Sequence, residues 1–380
     1  MTLIQARCFK SLIIVSFVQA IFFSNAVHSA VDQILNDNFY QNPAELNLTN
    51  LAQLVLGNVY IKPSFRFTGT SSGITGDAQS AVNNSLPYVL TAYRFTDKFV
   101  FGINVTPSVY GHLDWPVDSI VAKDSTVTNA LYYRIGAQSS YKLTDKITLG
   151  LGLNIEDNKY FELNFVVPNL GNEVNRISGL NFTADIGVFY EINKQHSLTA
   201  VVYTPVNTFG SGTSSLANKT INNFSMTISQ AAVASVGIIH LLSEKWFLEE
   251  KVYWSGWSLQ KTLVFNNSAS GTYSVPTNWK DVWSFQAITR YVTNARLALL
   301  CSLIYETNPV PLATNALGYP LAASGAISAG VDIAIQKEFS AQILYSYGGF
   351  LPNSPIKNAS STGTVTAHFQ AAVLQFIYKI

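Results

Sequence analysis

The chain has 380 residues, of which 12% are charged and 13% are aromatic, and its formal net charge is +1. Soluble domains usually carry about 25% charged residues, so an ordinary water-soluble domain is disfavoured. A near-neutral chain without a cluster of Lys and Arg also gives no reason to expect a nucleic-acid partner.

The first 30 residues are predicted to be a secretory signal peptide. Arg7 and Lys10 place positive charge ahead of the apolar run 12–23. That run is too short for a membrane-spanning helix, which needs about 20 apolar residues, so a retained membrane anchor is the weaker alternative. Cleavage is expected after Ala26 or after Ala30, and the sequence does not decide between them. Beyond this run the chain has no apolar stretch of membrane-spanning length.

The rest of the chain alternates apolar and polar residues with a period of two, which is typical of β-strands. In 147–156 the odd positions are apolar, and in 180–190 the even positions are apolar. One face of each strand therefore meets apolar surroundings, and the other meets water or polar groups. A soluble β-sandwich gives the same pattern, but its repetition along a chain with so few charges favours a transmembrane β-barrel.

Short polar breaks of similar sequence recur between the apolar runs. The sequence FTDKF at 95–99 returns as LTDKI at 143–147 and as LSEKW at 242–246. Each break has the length of a tight hairpin turn. With three looser copies there are six such turns; the looser copies lie at 192–196, 292–296 and 335–339.

Longer segments rich in Gly, Ser, Asn and Pro separate these turns. Six short turns and seven long segments make thirteen connections, and hence fourteen strands. Short turns on one rim and long loops on the other are typical of outer-membrane barrels, and an even strand count places both termini in the periplasm. We therefore predict an all-β fold, a transmembrane antiparallel up-and-down β-barrel over residues 54–380. The long segments lie near 70–83, 111–125, 163–176, 211–222, 266–281, 307–322 and 350–362.

The last strand contains a conflict of register. The even residues from Leu374 to Ile380 are apolar, as expected for an outward face. Upstream, the apolar residues from Val365 to Phe369 fall on odd positions. A β-bulge near Ala371 would place both sets on the outer face.

Four charged residues fall on the inward face of the predicted strands: Arg134, Asp185, Arg290 and Asp332. A basic residue that faces lipid at mid-depth costs about 2–4 kcal/mol, so the lumen is their favoured location. One interpretation makes them polar contacts for the head group of a ligand. The other, which we favour, makes them a salt-bridge network that keeps the barrel rigid.

Pro107 interrupts an otherwise regular strand. Proline cannot donate a hydrogen bond to a ladder, so it is confined to edges, strand ends and bulges. A break here would open a gap between the second and third strands and form a lateral exit from the lumen. Alternatively, the third strand ends at Thr106.

Motifs that carry chemistry are missing from the sequence. There is no Gly-x-Ser-x-Gly, no phosphate-binding loop and no Cys-x-x-Cys, and the five His residues show no metal-ligand spacing. We expect no catalytic site, cofactor or metal, and a barrel lipase is the enzymatic alternative because many Ser residues are present. Cys301 is predicted to be a small apolar filler in a strand.

Several motifs in order along the chain resemble one family, the FadL/TodX outer-membrane transporters of long-chain fatty acids and aromatic hydrocarbons. No single match is specific, but their order and separation are similar to those of the family. The matching segments are Asn42-Pro43-Ala44, 59–69, 102–111, the sequence YWSGWS at 253–258, the sequence NWKDVW at 278–283 and the sequence YETNPVP at 305–311.

The resemblance implies a fourteen-stranded barrel with a hatch in the lumen. Here the hatch would comprise residues 31–53 and would carry the motif Asn42, Pro43 and Ala44. The resemblance also implies a lateral opening at a kink in the third strand, where Pro107 lies. It further implies a monomer in outer-membrane lipid that takes up long-chain fatty acids or other hydrophobic molecules. For ligand capture we single out apolar residues near the outer loops: Tyr110, Leu113, Trp115, Phe350 and Leu351.

This sequence departs from the family pattern in three places. Only residues 31–41, or a few more, lie between the predicted signal peptide and Asn42, so a shortened hatch is expected. The segment after Pro311 lacks the Asp, Arg and Trp that the family usually carries, and the chain ends in Ile380 rather than an aromatic residue. A structural or adhesive barrel without transport, or a general pore, therefore stays as the alternative function.

Overall fold

The computed structural model describes residues 41–380. The predicted signal peptide 1–30 and the first ten residues of the predicted hatch segment 31–53 lie outside the described residues. No helix within 41–380 is long and apolar enough to span a membrane.

The described residues form one antiparallel sheet of twenty strand segments, preceded by a short 3-10 helix, Pro43–Leu48. Two further 3-10 turns, Trp257–Leu259 and Leu312–Thr314, lie in the loops. The strands are β1 (Ala52–Ser71), β2 (Ile74–Ala81), β3 (Asn84–Arg94), β4 (Phe99–Asp114), β5 (Val127–Lys142), β6 (Ile147–Val167), β7 (Gly171–Glu191), β8 (His196–Tyr203), β9 (Val206–Leu216), β10 (Lys219–Gln230), β11 (Val233–Ser243), β12 (Trp246–Ser255), β13 (Thr262–Ser268), β14 (Gly271–Pro276), β15 (Val282–Asn294), β16 (Leu297–Glu306), β17 (Ser324–Ala334), β18 (Phe339–Phe350), β19 (Ser354–Lys357) and β20 (Ser361–Lys379).

The sheet closes on itself through its first and last strands. β1 and β20 pair along their whole length, from Gln53 opposite Lys379 to Ser71 opposite Ser361. Six of the barrel strands are interrupted and appear as two segments each: β2 with β3, β8 with β9, β10 with β11, β12 with β13, β14 with β15, and β18 with β19. The twenty segments therefore make a closed barrel of fourteen strands, as the turn and loop pattern predicts.

The six predicted short turns all connect neighbouring strands on one rim. In the first two, the side chain of the turn threonine accepts the N–H that opens the next strand. Thr96 Oγ1 accepts from Phe99 N, and Thr144 Oγ1 accepts from Ile147 N, both at 3.0 Å. Asn193 does the same for His196 at 2.9 Å. The recurring sequence is thus a recurring turn chemistry, in which a short polar side chain replaces a backbone acceptor.

On the opposite rim, four of the seven predicted long segments are mainly strand rather than loop. The hairpins β1–β2, β6–β7, β9–β10 and β13–β14 carry their ladders nearly to the tip. Their tips need positive φ angles, such as 82° at Gly73 and 64° at Asn169, which Gly and Asn adopt most readily. The composition of these segments therefore reflects turn geometry at the tips. Longer loops remain at 115–126 and 307–323.

The outer wall of the barrel is apolar, and the inner wall is mixed. The predicted apolar faces of β6 and β7 point outward, and Phe182 is 73% exposed. Inside, buried polar side chains share the lumen with apolar clusters. This arrangement matches a barrel surrounded by lipid.

The β-bulge predicted near Ala371 is wrong. β20 pairs with β1 and with β18 without a register shift at this position. The odd residues Val365, Ala367 and Phe369 instead belong to apolar clusters inside the barrel. Alternation therefore continues unbroken, because the lumen near this strand is itself apolar.

Single-cysteine labelling tests this register. With Cys8 and Cys301 replaced by Ser, a fluorophore at position 372 or 374 should be quenched by nitroxide-bearing lipids in liposomes, because Ala372 and Leu374 face outward. A fluorophore at Ala371 or Val373 should escape quenching, since both residues are buried in the lumen. Quenching at position 371 but not at position 372 would contradict this register and support the predicted bulge.

Candidate functional site

The backbone ladder between β3 and β4 covers only part of the two strands. It runs from Val89 opposite Val105 to Arg94 opposite Val100. Above it, positions 84–88 pair with β1 and positions 106–114 pair with β5. Within the described residues no backbone ladder joins these two stretches to each other. The barrel wall therefore has a gap beside the upper half of β4.

Side chains bridge this gap. Asn84 Nδ2 donates to the Tyr110 hydroxyl at 2.5 Å and lies 3.2 Å from His112 Nδ1. Nearer the outer rim, Ser80 Oγ accepts the N–H of Asp114 at 2.7 Å. Tyr110, predicted to help capture ligand, is thus buried at the gap itself.

Pro107 lies at the lower end of the gap and is followed by a β-bulge. Pro107 pairs with Tyr133, and the next pair is Val109 with Tyr132, so Ser108 has no opposite residue. The structure excludes the interpretation in which the strand ends at Thr106, since β4 continues to Asp114. The missing proline N–H and the bulge fall where the ladder to β3 stops, as expected for a residue that cannot serve a continuous ladder.

Ser108 connects the bulge to a buried charge network in the lumen. Its hydroxyl donates to Glu156 at 2.5 Å, and Glu156 accepts the Nε–H of Arg134 at 2.6 Å. The Arg134 guanidinium also lies over the ring of Tyr203, 5.1 Å from its centroid. Ser108 and Glu156 are fully buried. A charge in such a position is stabilised only by close partners, which Arg134 and Ser108 provide.

The other predicted lumen charges also have polar partners. Asp185 lies beside the Arg134 network and accepts a hydrogen bond from Asn154 at 2.6 Å. Arg290 on β15 donates to Asp332 on β17 at 2.9 Å. The four charges thus form two separate clusters on different parts of the inner wall. This bonding agrees with a network that rigidifies the barrel, and contact with a ligand head group stays a prediction.

The motif Asn42-Pro43-Ala44 opens the 3-10 helix that rests on the inner wall. Asn42 Oδ1 accepts the N–H of Ala44 at 3.0 Å and caps the helix. Its Nδ2 donates to Thr199 Oγ1 at 2.6 Å and to the carbonyl of Val188 at 3.1 Å. Pro43 occupies the first helical position, where a missing N–H removes no hydrogen bond. The motif therefore starts a helix and also anchors it to β7 and β8.

Two glycines of the wall form the seat for this motif. A Cβ atom on Gly187 would lie 1.8 Å from Asn42 Oδ1, and one on Gly150 would lie 2.0 Å from the backbone nitrogen of Ala44. Real Cβ contacts are not this short, so any side chain at either position would displace the motif. Backbone atoms of the motif approach Gly150 in β6, and side-chain atoms of Asn42 and Pro43 approach Gly187 in β7, which explains the need for Gly at both positions.

A cavity of about 730 Å³ lies in the loop layer above the barrel. Its walls are mostly apolar and include Phe165, Leu263, Phe265 and Val275. The rings of Phe265 and Tyr273 stack with centroids 4.6 Å apart. The size and the apolar lining suit a small hydrophobic molecule.

The cavity continues into an apolar cluster that reaches the bulge. Leu263 and Phe265 belong both to the cavity wall and to this cluster. At its other end the cluster contains Val109, the residue after Ser108, and Tyr132 opposite it. Apolar side chains thus line a continuous region from the outer loops to the lower end of the gap.

Two of the sequence motifs meet beside this cavity. Asp281, of the sequence NWKDVW at 278–283, accepts hydrogen bonds from two residues of the sequence YWSGWS at 253–258. The donors are the N–H of Ser258 at 2.9 Å and the indole N–H of Trp254 at 3.3 Å. Burial by itself would raise the pKa of Asp281, but the hydrogen bonds from Ser258 and Trp254, together with the charge of Lys261, outweigh it and lower this pKa. Trp257 and Trp279 pack edge to face with centroids 5.4 Å apart. The motifs therefore fix the loops around the cavity.

The residues predicted to capture ligand do not line this cavity. Leu113, Trp115 and Phe350 are buried together in a cluster that packs the outer loops onto the barrel. Leu351 is exposed, and Tyr110 lies at the gap. Their role in ligand capture stays a prediction. Within 41–380 no group of three or more His, Cys, Asp and Glu residues is arranged to hold a metal ion.

A family model described as outer membrane protein transport protein (OMPP1/FadL/TodX) matches residues 22–376. The chain belongs to this family. The resemblance carried by the sequence motifs is thus confirmed, and the chain is an outer-membrane β-barrel.

Individual members are similar at low identity. The long-chain fatty acid transport protein of Salmonella typhi is 22% identical over 354 residues, which cover 82% of this chain and 80% of that protein. A FadL homologue of Pseudomonas aeruginosa has a TM-score of 0.82 at 15% identity, with 97% of this chain and 99% of that chain covered. The toluene transporter TodX of P. putida has a TM-score of 0.73 at 14% identity, with 96% and 99% covered. These structures share the fold.

Sequence reasoning missed several members of the candidate site. Glu156 lies on the polar face of a strand whose alternation was recognised, so its inward position was available from the register. Gly150 and Gly187 gave no such signal, because only the docked motif explains them.

Gly187→Ala should detach the hatch motif from the wall. The added methyl group overlaps Asn42 Oδ1, and overpacking of this kind costs about 1–3 kcal/mol. Hydrogen–deuterium exchange of the amides of residues 42–48 should become about tenfold faster, while the barrel keeps its heat-dependent gel mobility. Gly76→Ala is the matched control, since its Cβ would meet Ile120 at an ordinary 3.6 Å. Equal exchange rates of these amides in the two variants would contradict the docking of Asn42 against Gly187.

Glu156→Gln should destabilise the barrel by about 3 kcal/mol, because it leaves Arg134 buried without its carboxylate. Urea-induced unfolding in liposomes measures the change. Glu244→Gln, in an exposed turn, should alter the free energy of unfolding by less than about 0.5 kcal/mol. An equal loss of the free energy of unfolding in both variants would show that the ion pair of Glu156 with Arg134 does not stabilise the barrel.

Proposed function

We propose that this protein takes up hydrophobic small molecules passively across the outer membrane and releases them sideways into the bilayer through the gap beside Pro107. The observation that carries the proposal is the gap in the ladder between β3 and β4. Membership of the transport family supports the general activity, and the gap supports the route.

The first step is capture from water in the outer cavity. Moving a hydrophobic molecule from water into apolar surroundings is favourable by about 0.8 kcal/mol per buried methylene group. Phe165, Leu263 and Phe265 offer such surroundings directly below the cell surface. The relatives named for long-chain fatty acids and for toluene suggest the class of compound.

The second step is passage to the gap. The apolar cluster that links the cavity to Val109 would let a molecule move inward without meeting a charged side chain first. The ligand moves down its concentration gradient, and no energy source is needed. The 3-10 helix Pro43–Leu48 rests on the inner wall below this level, and a plug at this position would favour a sideways path over a fall into the periplasm.

The third step is release. At the gap, a molecule has to part the contacts of Asn84 with Tyr110 and His112 rather than a backbone ladder. Hydrocarbon lies directly outside, so a hydrophobic molecule leaves into the bilayer. We place the short turns, and with them both termini, on the periplasmic side, in agreement with the usual barrel orientation, and we expect a monomer in outer-membrane lipid.

Cross-linking across the gap tests this route. Asn84→Cys and His112→Cys, in a background without Cys8 and Cys301, place two thiols on opposite sides of the gap. Closing them with a bifunctional thiol reagent should reduce uptake of radiolabelled toluene and oleate by cells to the level of cells without the protein. Removal of a reducible cross-link should restore uptake.

The matched control joins the same two strands where the ladder is intact. Tyr93 and Phe101 face each other there, so Tyr93→Cys with Phe101→Cys should leave uptake unchanged after cross-linking. If closing the gap does not alter uptake, lateral release is wrong. Uptake of small hydrophilic solutes at the rate of hydrophobic ones would instead favour a general pore.

A further inference from the structure

Two tyrosines of the outer cavity carry hydroxyl groups without a partner. Tyr273 and Tyr319 both line the cavity. Their hydroxyl oxygens are buried, and neither makes a hydrogen bond within residues 41–380. The buried indole N–H of Trp279, which packs against Tyr319 at 6.0 Å between centroids, is in the same condition. A buried donor without an acceptor is unfavourable, and native proteins contain few of them.

The two tyrosines line the same mostly apolar cavity, and the indole of Trp279 packs against one of them, Tyr319. Buried polar groups are normally satisfied within the protein, so donors gathered at a cavity suggest that the acceptor arrives with a ligand. Burial raises the pKa of both phenols above their usual range, so each keeps its proton and can donate at neutral pH. Both residues belong to the loop layer, outside the membrane-spanning part of the barrel.

The charges around the cavity disfavour an anionic ligand. Glu173 is fully buried, and the negative charge of its carboxylate contributes to the raised pKa of Tyr273. The charged residues that line the cavity are Lys123 and Asp124. Lys123 is exposed, and Asp124 is held by the hydroxyls of Ser360 and Ser361 at 2.5 and 2.6 Å. A carboxylate that reached the tyrosines would therefore meet a negative neighbour and no buried cation.

We propose that the outer cavity selects uncharged hydrophobic molecules that carry one hydrogen-bond acceptor, such as an aryl ketone or an ester, over carboxylate anions of the same size. Tyr273 and Tyr319 are the residues that set this preference. The inference rests on the proposed function, in which the cavity is the site of capture. It narrows the ligand class to neutral molecules with a polar atom.

Three probes of similar size separate the contributions: acetophenone is neutral with an acceptor, ethylbenzene is neutral without one, and benzoate is anionic at pH 7. Their dissociation constants are measured for the refolded protein in detergent micelles by ligand-observed NMR titration. In the variant Tyr273→Phe with Tyr319→Phe, the affinity for acetophenone should fall about fivefold, the size of one neutral hydrogen bond. The affinity for ethylbenzene should be unchanged or higher.

The charge argument has its own variant. Benzoate should bind at least about tenfold more weakly than acetophenone, and Glu173→Gln should reduce this difference. Tyr305→Phe, on the outer wall, serves as the control and should leave all three affinities unchanged. If the double variant loses no affinity for acetophenone, or if benzoate binds as tightly as acetophenone, the inference is wrong.

The outcomes also distinguish this inference from the proposed function. If ethylbenzene binds and is taken up but the tyrosines have no effect, only the ligand preference fails. If none of the probes binds and none is taken up, the transport proposal fails as well. Retained heat-dependent gel mobility of each variant ensures that the comparison is made on folded barrels.

Discussion

A chain that crosses a bilayer has to hydrogen-bond its own backbone, because hydrocarbon offers neither donors nor acceptors. The ladder between β1 and β20 satisfies this requirement, since it converts an open sheet into a closed barrel. The rest of the wall depends on this closure, because it leaves the barrel without an open first or last strand. The gap beside β4 departs from it, and the gap begins next to a proline and a bulge. A departure of this kind, bridged by Asn84 and its partners, is where a function is to be sought.

The lumen and the loops support the gap from two sides. Below, Ser108 hydrogen-bonds Glu156, and this couples the bulge to Arg134 and so to the inner wall. Above, Asp281 joins two loop motifs and holds the rim of the cavity. Apolar side chains fill the space between these polar anchors. Apolar side chains that can adjust to a ligand thus lie between two sets of hydrogen-bonded polar side chains, one below and one above.

The sequence was most informative where a repeated physical rule applies. Period-two alternation and the recurring turn predict the strand number, because each turn threonine serves the same N–H. The family motif at Asn42 predicts a hatch segment, but its seat at Gly187 follows only from the contact of the Asn42 side chain with a strand far away in the sequence. The bulge near Ala371 was predicted wrongly because Phe369 is apolar and faces the lumen. A rule based on hydrophobicity alone does not distinguish an apolar inner wall from an outer wall. Trp115 packs the outer loops onto the barrel, a position that the hydrophobicity of a loop residue alone does not predict, and its role in ligand capture stays a prediction.

The upper half of β4 is a strand edge in the barrel wall, because its ladder runs to β5 on one side only. Unpaired edges are templates on which a foreign strand can add, and proteins protect them with bulges and polar side chains. Here the bulge at Ser108 and the contacts of Asn84 with Tyr110 and His112 occupy the edge. The same groups that would admit a departing molecule thus also guard against edge-to-edge association while the barrel assembles. Under the proposed lateral release, weakening these contacts would ease the exit of a molecule and at the same time leave the edge unprotected.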